Sequence, residues 1–142
     1  MNAAEQVHSL AFANSLASAI TLVRHHFPAA MPNLMPWSDD PETRRWCENS
    51  TLDLAFHFPG WSPRLQCRSL LLQLIMSSYA DESSSCLLGV LLRGMTFDGE
   101  RWRLATMGDW EPQGSYLPHP TERRQLQIIC RDLFCLFPKC SD

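Results

Sequence analysis

The sequence predicts an α+β domain, a small mixed or antiparallel sheet packed with three helices at about residues 3–27, 63–78 and 120–137. Three observations carry that prediction. Apolar residues recur at helical spacing near both ends of the chain, "TLDLAFHF" at 51–58 alternates apolar and polar, and Asp98-Gly99 separates two β-rich runs. Alternation with period two marks a half-buried strand, and an Asp-Gly pair between such runs marks a two-residue hairpin turn.

In the first helix, Phe12, Leu16, Ile20, Val23 and Phe27 form one stripe, stopped by Pro28. His25 and His26 fall in its last turn, where the helix dipole favours cations, and that role is preferred over metal binding. Residues 28–43 are a proline-rich connector, unsuited to a helix or a central strand. Strand 51–58 follows, with Leu52, Leu54, Phe56 and Phe58 on one face and Asp53, Ala55 and His57 on the other. Ser62 then suits an N-cap and Pro63 a first helical position, so the leucine-rich run 63–78 reads as a helix.

The hairpin spans 86–96 and 101–107. A type I′ turn at Asp98-Gly99 would place Phe97 opposite Glu100, Met95 opposite Trp102 and Arg93 opposite Leu104. The last helix carries Leu126, Ile129, Leu133 and Phe137 as its stripe, ending at Pro138. The order strand, helix, strand permits a right-handed parallel crossover, with helices mainly on one face of the sheet. All 142 residues fit one domain.

Apolar content of 45% and charged content of 19% are those of a folded chain. The net charge of −3 arises before residue 61, where Glu5, Asp39, Asp40, Glu42, Glu48 and Asp53 face Arg24, Arg44 and Arg45. Neither half has the basic excess of a nucleic-acid footprint. The six cysteines come without a basic leader before the apolar stretch at 10–23, so they read as reduced thiols packed like small hydrophobes. No run is long and apolar enough for a membrane span, and a cytoplasmic location is the expectation.

One feature points to a site. On a helical wheel of 63–78, Arg64 and Arg68 fall within the apolar arc, one turn apart, at the helix start. Like charges there are unfavourable, so something negative should meet them. An internal carboxylate (Asp53, Glu48, Asp109 or Glu111) is the favoured partner, and an external anion is the functional alternative. Trp61 could add a flat or cation–π contact, and His57 and Trp110 complete the candidate binding set.

Complete chemical constellations are missing. "GWSPR" lacks the second glycine of a nucleophile elbow, since Arg64 stands there. Asp53, His57 and Ser62 are close in sequence, but Ser62 has a capping role to fill. Cys130, Cys135 and Cys140 have no zinc-like spacing, and the six glycines form no phosphate or dinucleotide loop. No catalytic residue, metal or cofactor is therefore assigned.

The expected function is a non-catalytic cytosolic binding, assembly or regulatory module. It would dock an acidic or phosphorylated protein partner at the strand–helix turn around Trp61–Arg68. The alternative is an enzyme or ligand-binding protein acting on a small anionic metabolite, with Arg64 and Arg68 as the clamp. A single-stranded nucleic-acid binder using Arg101, Trp102, Arg103 and Trp110 comes third, because arginine and tryptophan there fall on opposite faces. Nothing in the sequence sets the oligomeric state.

Overall fold

A computed structural model describes residues 1–7, 9–37, 51–77 and 86–140. Residues 38–43 of the expected connector, His8, Glu48 and the end of the 63–78 segment lie outside the described residues. A 3-10 turn, Ala3–Gln6, leads into helix α1, Leu10–His26, whose N-cap Ser9 accepts the Phe12 N–H at 3.1 Å. Strands β1 (Met31–Asn33), β2 (Thr51–Ser62), β3 (Cys67–Met76), β4 (Leu87–Thr96), β5 (Gly99–Ala105) and β6 (Gln113–Gly114) follow, then helix α2, Pro120–Leu133. The six strands lie side by side in chain order, each antiparallel to its neighbour.

Two expectations are overturned. The segment 63–78 is not a helix: Pro63–Gln66 is a tight turn and Cys67–Met76 is a central strand. The fold thus has two α-helices rather than three among the described residues, and no parallel crossover. Leucine, glutamine and arginine favour helices in isolation. Here both faces of β3 are covered, Leu70, Leu72 and Leu74 on one side and Leu71 and Gln73 on the other. A strand buried on both sides loses the alternation that would have marked it. The Ser62 hydroxyl does accept the Leu65 N–H at 3.3 Å, as a cap would. Gln66, at φ 55°, then turns the chain back along β2 instead of onward into a helix.

The hairpin is where the sequence places it, with a different register. Thr96 pairs with Gly99, so Phe97 and Asp98 form the loop and Gly99 (φ 114°) closes it. Asp98 does not take the positive φ that a type I′ turn requires. A bulge at Gly94–Met95 then sets Met95 opposite Glu100, Gly94 opposite Trp102 and Arg93 opposite Arg103. Within the connector, Met31–Asn33 forms a short edge strand, a position that tolerates Pro32.

Both helices join the core on one sheet face. Leu54, Phe56, Leu70, Leu72, Leu92, Trp102 and Leu104 cluster there with Phe12, Leu16 and Val23 of α1 and Leu126, Ile129 and Leu133 of α2. The other face carries a polar seam across four strands. Asp53, fully buried, accepts from Thr51 Oγ1 at 2.6 Å, from Gln73 Nε2 at 3.3 Å and from the Trp37 indole. Gln73 accepts from Arg93 Nε at 2.8 Å, and Arg93 and Arg103, directly opposed in register, share Glu100 at 3.2 and 3.0 Å. The shared carboxylate offsets a like-charge cross-strand pair.

The reading of all six cysteines as thiols is also corrected. Cys86, before β4, is bonded to Cys140, beyond α2, with Cα atoms 5.1 Å apart. Disulfides persist in oxidising surroundings, so the cysteines lend no support to a cytosolic location. Cys67 and Cys130 are buried thiols, each pushed up to about 12 by desolvation, which leaves them protonated and inert. The bridge closes a loop with a sequence separation of 54. Cys140→Ser should lower unfolding stability by about 2–4 kcal/mol, read as a shift of the urea midpoint under non-reducing conditions.

Candidate functional site

Pro63–Gln66 is held from two sides. The indole N–H of Trp102, on β5, donates to the Leu65 carbonyl at 2.6 Å. The Arg64 carbonyl accepts the backbone N–H of His119, the N-cap of α2, at 2.8 Å. In return Arg64 Nε donates to Glu122 Oε2, in the first turn of α2, at 2.7 Å. Glutamate at this helical position often reaches back to the N-cap N–H. Here that N–H belongs to Arg64, and the glutamate takes the Arg64 side chain instead. The result is a reciprocal clamp between the β2–β3 turn and the helix start. The charge partner of Arg64 is therefore internal, as favoured from sequence, but it is Glu122 and none of the four carboxylates first considered. Hydrogen bonding and charge from Glu122 raise the Arg64 pKa above its already high ordinary value.

The clamp leaves Arg64 side-chain exposure at 58%. Among the described residues only Nε has a hydrogen-bond partner, and the side chain lines a groove of about 520 Å³. Phe27 and Pro28 after α1, Phe58 and Trp61 of β2, and Arg64 and Glu122 line it. Glu122 Oε1 is buried and accepts no hydrogen bond from the described residues. His26 is at one end. Desolvation first, and then the neighbouring His25, lower its pKa, while Asp132 acts in the opposite sense.

Of the candidate residues, Trp61 and Arg64 come together in this groove. Arg68 does not join them. It lies on β3 beside a second cleft of about 300 Å³, with its guanidinium 4.6 Å from the exposed Phe97 ring. His57 lines that cleft too. Asn33 Oδ1 accepts the Met35 N–H, which turns its amide N–H toward His57 Nε2 at 3.1 Å. Nε2 is then the acceptor, and Nδ1–H donates to Ser69 Oγ at 2.8 Å. In this tautomer the imidazole cannot take a proton from Ser69, so the pair is not a poised nucleophile and base. Asp53 is buried in the seam, apart from His57, and Ser62 caps the turn, so the three do not assemble. Trp110 packs against Phe134 of the C-terminal segment, ring centroids 6.0 Å apart, and is not in the groove.

Sequence reasoning placed Arg101 only in the nucleic-acid reading and missed its place beside Trp61. Its guanidinium lies between Trp61 (5.0 Å) and Tyr116 (3.7 Å) and reaches Gln66 Oε1 at 3.3 Å. No local pattern links positions 61, 101 and 116; only the folded chain brings them together. Arg101 thus braces the Trp61 ring and adds positive charge at the rim.

The architecture defines a small α+β domain, an antiparallel meander with two helices on one face among the described residues and a groove lined by the Arg64–Glu122 pair where the β2–β3 turn meets α2. The chain belongs to a family defined by a domain of unknown function, which matches residues 4–139. No curated protein and no solved structure matches it. Among the described residues no helix is long and apolar enough to cross a membrane.

The His26 shift has a consequence for stability. A histidine whose pKa is lowered by folding stabilises the native state above its ordinary value of 6.5 and loses that contribution as pH falls through the folded value. Stability should therefore decline on acidification below about 6.5, and His26→Asn should flatten that part of the profile in urea titrations at stepped pH.

Proposed function

We propose that this domain is a non-catalytic binding module that docks an acidic protein partner in the groove between Trp61, Arg64 and the end of α1. One observation carries the reading. Arg64 is fixed through Nε by Glu122, yet its side chain stays more than half exposed beside a largely apolar groove. A guanidinium pre-oriented in this way loses little freedom when it meets a carboxylate or phosphate oxygen. Tryptophan beside arginine is also the composition of interface anchors. Arg101 against Trp61 and Arg68 on the neighbouring cleft extend the positive surface.

The test is affinity capture from nuclease-treated native lysate with wild type and a Trp61→Ala/Arg64→Glu variant of verified fold. A partner held by wild type, released by moderate salt and missing from the variant is the expected result. Identical retained sets would remove the groove from consideration.

A further inference from the structure

The geometry points to strand addition: an extended acidic peptide pairs its backbone with the open edge of β2 at Phe58–Ser62, with apolar side chains in the groove and a carboxylate on Arg64. This inference rests on the docking reading above and specifies its partner and mode.

Among the described residues no strand covers this edge, because β1 stops short. β2 runs over twelve residues, yet β1 pairs only with Ala55, Phe56 and His57. Upstream of β1 the chain turns away, with the Ala30 N–H bonded to the Phe27 carbonyl, so Phe27 and Pro28 form the opposite wall of the groove. Phe58, Pro59, Gly60 and Trp61 have no register partner in either neighbouring strand. They line the groove consecutively, and a side chain built at Gly60 would meet nothing within 4 Å.

Exposed strand edges pair with extended peptides, the main chain supplying affinity and alternate side chains supplying specificity. Pro59 has no N–H, so donors on this edge come from Gly60 or Trp61. Charge fixes the sign of the partner. Arg64 and Glu122 balance each other at the groove, and the Arg101 guanidinium against Trp61 adds one positive charge beyond that pair. A basic peptide would add to this excess, and an acidic one would offset it. The apolar walls at Phe27, Phe58 and Trp61 accept the alternate side chains that strand geometry sends to one face.

Three synthetic decapeptides serve as probes: alternating Glu-Val, alternating Lys-Val, and Glu-Val with every second backbone amide N-methylated. Titration calorimetry against the full chain should show Glu-Val binding, with the N-methylated and Lys-Val forms each weaker by about tenfold or more. Gly60→Val should weaken Glu-Val binding by a similar factor, about tenfold, at an unchanged melting temperature, because the added side chain fills open space on the edge.

Equal binding of the N-methylated peptide would overturn strand addition while leaving acidic docking intact. So would a partner captured through Trp61 and Arg64 together with silence from all three probes. A dimer broken by Gly60→Val would assign the edge to a second copy of this chain and overturn the peptide reading. Loss of both capture and probe binding would end the docking reading itself.

Discussion

The indole of Trp102 is the constraint on which the rest of this structure depends. It is fully buried, and it lies over Gly94, its register partner on β4, so closely that a side chain there would come within 2.2 Å of the indole nitrogen. That contact explains why β4 carries a glycine in mid-strand, a residue that otherwise weakens a strand. The same indole N–H holds the Leu65 carbonyl, which fixes the Pro63–Gln66 turn against the body of the sheet. With that turn fixed, Arg64 can take the His119 N–H and Glu122, and α2 starts where its apolar stripe meets the core. A single side chain on β5 thus sets the β2–β3 turn and, through it, the start of the last helix.

The groove follows from the same chain of contacts. An arginine clamped by one nitrogen differs from a mobile surface arginine. Its ion pair with Glu122 is a weak source of stability, since partly exposed pairs contribute little. It is an effective source of orientation. The bracing of Trp61 by Arg101, itself seated on Tyr116, works in the same way. The opposite sheet face uses polar groups differently. There Asp53, Gln73, Arg93 and Glu100 satisfy one another across adjacent strands, as burial demands of groups that would otherwise lose water without replacement.

Some elements were legible residue by residue. The stripe from Phe12 to Phe27, the alternation at 51–58, the Asp-Gly punctuation and the Pro120 start each state a local preference that the fold obeys. Element 63–78 was not legible. Leu70, Leu71, Leu72 and Leu74 read equally as a buried strand or one side of a helix, and the intrinsic preference favours the wrong answer. The Ser62 capping signal is real, but it opens a turn rather than a helix. At the site, Arg64 stood out, although the helix start that argued for an anion beside it is a turn before a strand. Glu122 did not stand out, because it is 58 positions away and its first-turn location already accounts for its charge.

The sequence by itself determined which ends are helical, that 51–58 is a strand and that a hairpin exists, since each depends on residues within about one turn or strand of each other. Only the tertiary structure decided the rest: β3 as a strand, the one-residue bulge at Gly94–Met95, the Cys86–Cys140 bridge and the meeting of Trp61, Arg64, Arg101 and Glu122. Those outcomes are set by burial and register across the sheet. Both are energies of the whole packed arrangement, and no short stretch of sequence contains them.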